Sequence, residues 1–353
     1  MTLKLSGLAR LLAASAVVLI TLPFASAQVR STTGSQGKLR IFFIDVEGGQ
    51  ATLFVPDGGQ TLLIDTGWPG HDSRDAKRIA AAVKMAGRSR IDYVLITHYH
   101  DDHVGGVPQL VEQVPVGTFI DHGPNRELDH GVTERGAAEY SKTLAATGAA
   151  HIVAKVGDLL PVRGMHVLAV SADGNVLGHA APGGGQVNPY CATSEIRPAD
   201  QTENARSLGV LITFGRLRVL DLGDLTWDKE RTLMCPRNEL GPIDIDIVSH
   251  HGFYQSSSPA LVDAIAARVA VMDNGETKGG SLPTFKTLAA APGLERLWQL
   301  HFSVEAAGAN APATYIANPM NIDGNQLELT AAGDGSFEVR NGRTGFVERY
   351  PAR

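Results

Sequence analysis

Ile91-Asp-Tyr-Val-Leu-Ile-Thr97 runs straight into His98-Tyr-His100-Asp-Asp102-His103-Val-Gly105-Gly106, and this stretch decides how the chain is read. Seven mostly apolar residues, several of them β-branched or aromatic, predict a buried strand. Behind it stand three imidazoles and two carboxylates within six positions. Imidazole nitrogen and carboxylate oxygen are ligands for zinc and its neighbours. Alternation along extended backbone places His98 and His100 on one side, within reach of one ion. Asp102 and His103 are then free to turn toward a second. Two ions about 3.5–4 Å apart clamp a hydroxide between them and stabilise a leaving oxygen. A solvated loop does not account for four ligand-type residues at this spacing.

Upstream, residues 38–46, 51–55 and 60–64 read as three strands, joined by Glu47-Gly-Gly-Gln50 and Pro56-Asp-Gly-Gly59. Asp65-Thr-Gly67 closes the third. A carboxylate there is either an ordinary turn aspartate or an acceptor for the second ring nitrogen of a ligand histidine. Residues 74–86 carry Ile79, Ala82, Val83 and Ala86 at helical spacing, and Gly87 stops the helix. Downstream, 104–114 predicts a short helix over the metal loop, 116–120 a strand, 135–147 a helix and 151–170 two β segments. His122, just past a strand end, is read as a loop histidine bound to nothing, with a further metal ligand as the alternative. Residues 171–203 are rich in Gly, Ala and Pro and lack periodicity. Gly183-Gly-Gly185 is not followed by the helix start of a phosphate loop. The segment therefore reads as an insertion bordering the site, a lid or a disordered loop, in which His179 is incidental.

Periodic structure resumes with a hairpin over 207–214 and 217–222, which delivers Gly223-Asp224. An aspartate at a buried strand end can bridge two cations through its two oxygens. Residues 243–248 alternate cleanly and end in Ser249-His250-His251-Gly252. Neighbours on extended backbone face opposite sides, so one of the pair is expected to bind metal. His250 is favoured as the ligand, and His251 as a pocket-lining residue or acid. A helix over 257–267 with Pro259 in its first turn, a strand over 268–272, the turn Asp273-Asn-Gly275, a helix over 283–290 and a strand over 297–302 follow. His301 on the last of these is read as a core or surface residue, with a place facing the mouth from the opposite rim as the alternative. The elements come in two rounds, 38–170 and 207–302, each delivering ligands at strand ends. That pattern fits an α+β αββα sandwich, two mixed sheets face to face with helices outside, spanning 38–325 as one domain with a hairpin tail over 326–353.

The composition is that of an ordinary globular protein, 43% hydrophobic and 19% charged, with a net charge of −6. Without a basic stripe, a broad surface for duplex DNA is not favoured, while a local groove stays open. Residues 1–27 read as an export signal: Lys4 and Arg10, an apolar run over 11–24, then Ala25-Ser-Ala27. The apolar run is short for a membrane span, and cleavage would remove Lys4 and Arg10 and take the charge to −8. Residues 28–37 read as a loose leader. Cys191 and Cys235 form either one disulfide or two buried thiols.

His98-x-His100-x-Asp102-His103 resembles the signature of the metallo-β-lactamase superfamily of metal-dependent hydrolases. "FFIDVEGGQATLFVPDGGQTLLIDTG", "VLITHYHDDHVGG", "SLGVLITFGRLRVLDLGD" and "IDIVSHHG" occur in the order seen in one branch, similar to the soluble hydrolase-like domain of the competence protein ComEC. The resemblance implies two divalent ions, zinc with manganese or iron as alternatives, held by His98, His100, Asp102, His103, Asp224 and His250 or His251. It implies hydrolysis by a metal-activated hydroxide oriented by Asp102, on a phosphoester or phosphodiester. A lactone or β-lactam is the runner-up substrate, and a binding or sensory protein on the same fold a second class. Two departures stand out. Superfamily members often carry a further histidine between Asp102 and Asp224, where this chain offers only His122 at a strand end. The branch tends to have Ser after His-His-Gly, and here it is Phe253.

Overall fold

The computed structural model describes Thr2, residues 37–128 and residues 131–353. Apart from Thr2, the stretch read as an export signal lies outside the described residues, as does the leader before Gly37. The first sheet begins with β1 (Leu39–Phe43), β2 (Thr52–Pro56) and β3 (Leu62–Ile64), an antiparallel meander. Helix α1 (Arg74–Met85) then crosses to β4 (Ile91–Leu95), parallel to β3. The metal loop and the short helices α2 (Asp101–Val104) and α3 (Val107–Gln113) lead to β5 (Val116–Asp121), and α4 (Val132–Thr147) leads to β6 (Ala150–Val153), both again parallel.

The chain next enters the second sheet through β7 (Leu159–Leu160) and β8 (His166–Ala172), with β9 (Asn175–Val176) on the edge of β8. After β10 (Gln186–Val187), strands β11 (Gly209–Phe214) and β12 (Leu217–Asp221) complete an antiparallel set. Helix α5 (Trp227–Met234) and β13 (Arg237–Asn238) precede β14 (Ile245–Ile247), α6 (Pro259–Ile265), β15 (Val269–Met272), α7 (Leu282–Ala290), β16 (Arg296–His301) and β17 (Ile316–Asn318). From β12 to β17 this sheet is parallel. Strands β18 (Leu327–Ala331), β19 (Phe337–Asn341) and β20 (Val347–Tyr350) return to the first sheet beside β1.

The predicted αββα sandwich is what forms. Alternate residues on the central strands serve two different cores, because both faces of each sheet are covered. Ile41 and Phe43 pack between the sheets with Val210, Ile212, Ile245 and Val271. Phe42 and Ile44, on the other face, pack under α1, α3 and α4 with Ile79, Leu110 and Tyr140. Leu211 and Leu220 do the same beneath α5 and α6.

The crossing between sheets falls inside the first round, since 151–170 is split between them. Two parts differ from the expectation. The tail is three strands, and β18 pairs with β1 over five residues, so the tail belongs to the sheet itself. Residues 171–203 are neither lid nor disorder. β10 pairs with β13, Cys191 and Cys235 form a disulfide, and the Trp227 indole donates to the Glu195 carbonyl at 2.9 Å. Among the described residues no helix is long and apolar enough to cross a membrane.

The parallel strands of both sheets open at the same end of the sandwich. Asp65 follows β3, His98 follows β4, Asp224 follows β12, His250 and His251 follow β14, and Asp273 follows β15. Ligands of open parallel sheets sit beyond the carboxyl ends of the strands, and here two such rims meet.

Candidate metal centre

The metal loop is held by backbone against backbone. Gln50 N donates to the Asp102 carbonyl at 3.1 Å and Thr66 N to the His103 carbonyl at 2.8 Å. A Cβ on Gly106 would overlap the Thr66 carbonyl oxygen, and one on Gly105 the Pro69 ring, so the glycine pair is what lets α2 and α3 seat on the 65–69 loop.

Asp102, His103, Asp224 and His251, all buried, offer four ligand atoms that lie within 4.8 Å of one another. Nε2 of His103 and Nε2 of His251 are 3.1 Å apart. Asp102 Oδ2 is 3.4 Å from the first and 3.1 Å from the second. Asp224 Oδ1 faces the same pair at 3.3 and 3.5 Å. Its other oxygen faces the opposite way: Oδ2 is 3.3 Å from His250 Nε2 and 3.9 Å from His98 Nε2. His100 Nδ1 stands 3.1 Å from that His98 nitrogen. One carboxylate thus divides two sets of imidazoles.

The preference between His250 and His251 is revised. His251 joins the tight group of four, and His250 stands across Asp224 on the His98 side. The reason lies in the backbone. His250 and His251 both adopt left-handed conformations, with φ of 57° and 52°, so the opposite-sides rule for extended chain does not apply. Both rings reach Asp224.

Behind these donors lies a layer of acceptors. Asp65 Oδ2 is 2.7 Å from His103 Nδ1 and accepts from Thr97 Oγ1 at 2.7 Å, while Asp65 Oδ1 accepts from Thr97 N at 2.8 Å. With the Nδ1 proton assigned to that bond, the Nε2 lone pair of His103 turns inward. Of the two readings of Asp65, the orienting one holds. Asp273 Oδ1 lies 3.4 Å from His251 Nδ1, and Glu127 Oε2 lies 3.1 Å from His100 Nε2. Asp273 stands in a stretch read only as a turn. Its position just past a buried strand, like that of Asp65, was the available signal. Glu127 carried none: it lies in a loop, and only the fold brings it to His100.

Electrostatics point the same way. Burial disfavours the charged form of His103, yet Asp224, Asp102 and Asp65 outweigh it and raise its pKa well above the usual histidine range. Burial likewise opposes ionisation of Asp224, but His103, His250 and His251 hold its carboxyl well below the usual value. The site draws positive charge. By contrast, burial keeps His98 neutral and pushes His250 down to about 4, so both present free lone pairs at neutral pH. Asp224 Oδ1 is buried and has no hydrogen-bond partner. An orphaned ligand atom amid nitrogen and carboxylate donors fits a borderline divalent cation.

The three further histidines singled out in the sequence, His122, His179 and His301, lie outside the four-donor group. His122 is not unbound: it is buried and its Nε2 meets Glu203 Oε2 at 3.0 Å, away from the four-donor group. His179 is exposed. His301 pairs with Asp45 at 2.7 Å. Asp45, Glu47 and His301 also cluster, but Arg78 lies 3.2 Å from Asp45 and 2.9 Å from Glu47 and supplies the positive charge there.

Fold and site together define a metallo-β-lactamase fold. Residues 44–193 match the family model of the metallo-beta-lactamase superfamily. Members of that superfamily are typically metal-dependent hydrolases binding divalent ions, commonly zinc or iron. Among solved structures, it is similar to a Cronobacter sakazakii metallo-beta-lactamase with a HARLDQ motif, at 13% identity over 52% of this chain and 60% of that one, TM-score 0.33. This chain thus matches less than two thirds of that protein's length. It is also similar to CmlA, a diiron β-hydroxylase from Streptomyces venezuelae, at 16% identity over 71% and 47% of the two chains, TM-score 0.38. A third likeness is to the metallo-beta-lactamase SMB-1, at 14% identity over 61% and 81%, TM-score 0.37.

Proposed function

We propose that the chain is an exported metal-dependent hydrolase of phosphoesters or phosphodiesters. The observation that carries this reading is Asp224, its two oxygens each facing a different set of imidazoles. His103, His251, Asp102 and Asp224 would hold one divalent ion, and His98, His100 and His250 with Asp224 a second. When bound, such ions act as Lewis acids and supply hydroxide at neutral pH. The protein's own part is to keep Nε2 of His103 and His251 and Nδ1 of His100 turned inward, through Asp65, Asp273 and Glu127.

Preference for phosphoesters follows the resemblance to the ComEC-like branch. Export follows the N-terminal pattern, and the Cys191–Cys235 disulfide supports it, since such bonds persist in oxidising compartments. Elemental analysis of protein lacking residues 1–27, with hydrolysis of bis-p-nitrophenyl phosphate, a lactone and nitrocefin, tests the reading. Bound divalent ion and chelator-sensitive diester hydrolysis are expected. Turnover of the lactone or nitrocefin alone transfers the chain to the runner-up class, and no turnover with metal bound overturns both.

A further inference from the structure

Lys278 lies in the loop joining β15 to α7, and its Nζ contacts Oδ2 of Asp102, the same oxygen that meets His103 and His251. The ammonium also stands 5.2 Å from the centre of the Trp68 ring and 5.8 Å from that of Phe253. Three loops meet there: 65–73, 249–258 and 273–281. The Lys278 side chain is 28% exposed and that of Asp102 only 9%, so the ammonium marks the boundary between solvent and the buried donors. Two aromatic faces hold a cation without help from a carboxylate. The loop is braced as well. Gly275 N donates to the Lys278 carbonyl at 2.8 Å, and a Cβ on Gly279 would overlap the His251 carbonyl. The position of Lys278 is thereby tied to that of His251.

A fixed cation beside a cation-binding group is an arrangement that like-charge repulsion opposes, unless an anion lies between the two. We propose that Lys278, framed by Trp68 and Phe253, is the residue that holds a negatively charged oxygen of the substrate, and so selects anionic phosphoesters over uncharged lactones. The proposal rests on the metal-dependent hydrolase reading above. An ion on the four donors competes for Asp102, leaving the ammonium on its two rings at the mouth with an unmatched charge. It also gives a role to Phe253, the position at which the chain departs from the pattern of the branch it resembles: a ring there frames the lysine, where a serine offers no face.

The test uses the zinc-loaded protein and its Lys278→Met and Lys278→Arg variants. Zinc is counted by elemental analysis, inorganic phosphate binding is measured by calorimetry, and KM is compared on bis-p-nitrophenyl phosphate and a neutral lactone. Lys278→Met should keep the same zinc count and bind phosphate roughly 10- to 100-fold more weakly. Its KM should rise on the diester and not on the lactone. Lys278→Arg should stay within a few-fold of the unaltered protein, because it keeps the charge. Unchanged phosphate affinity in Lys278→Met, or no phosphate binding by the unaltered protein, overturns the proposal. So does an extra equivalent of zinc in Lys278→Met, which would make the lysine a built-in stand-in for an ion. If nothing is hydrolysed yet phosphate binding still depends on Lys278, the hydrolase reading fails and the anion-holding role survives.

Discussion

Asp65 and Asp273 orient two histidines of one ion group, but they are built differently, and the difference is measurable. Asp65 spends both oxygens on hydrogen bonds to Thr97 and His103. Both oxygens of Asp273 are buried without a hydrogen-bond partner, its link to His251 being an ion-pair contact of 3.4 Å. Asp65→Asn should therefore lower both metal affinity, by roughly 10- to 100-fold, and stability, by about 1–3 kcal/mol. Asp273→Asn should weaken metal binding by a similar factor and leave stability unchanged or slightly raised, since it removes a buried charge. Competition with a chromophoric chelator and urea denaturation of the metal-free variants check the pair. Equal stability losses in both would show that the two carboxylates do the same job.

At the scale of elements, the second sheet carries a group of buried acids beneath α5. Asp221 on β12, Asp246 on β14 and Glu230 on α5 are each pushed up to about 7, chiefly by burial. A carboxyl whose pKa is raised on folding is protonated in the native state and ionised in the unfolded one between about pH 4 and 7. The native state then binds more protons, and stability falls as pH rises through that window. Asp246→Asn does not titrate, so its melting temperature relative to the unaltered protein should climb between pH 5 and pH 8. Scanning calorimetry of metal-free protein at both pH values reads the change; a constant offset would refute the assignment. In the first sheet, the α2–α3 junction depends on Gly106. Gly106→Ala places a methyl group against the Thr66 carbonyl, which should cost about 1–3 kcal/mol in denaturation midpoints.

Across the whole molecule, two links bind distant parts. Trp298 on β16 is fully buried and its indole donates to the Tyr350 hydroxyl at 3.1 Å, tying the last strand of the chain to the opposite sheet. The Cys191–Cys235 disulfide closes a span of 44 residues that carries the 171–203 insertion past α5. Cross-linking a loop of that length should contribute about 2–4 kcal/mol. Guanidinium denaturation with and without reductant should show the loss, together with faster proteolysis of 176–203, whose remaining anchors are short strands and single hydrogen bonds. Resistance to both would mean that the β10–β13 pairing suffices alone.

Local patterns of residue type determined a good deal on their own. The apolar run 91–97, the cluster after it and the glycine pair marked the strand, the donors and the sharp turn, because each is set by neighbours within a few residues. Asp224 was legible in the same way. The helix α5 was not: Trp227–Met234 has only weak apolar periodicity, and packing against α6 and the insertion secures it instead. Which of His250 and His251 completes the group of four depended on two left-handed residues that no neighbour dictates. Glu127, Asp273 and Lys278 matter only through distances across three or four loops. Tertiary structure decided these, since a side chain's partner across a fold is set by how whole sheets close on one another, and that is written in no single stretch of chain.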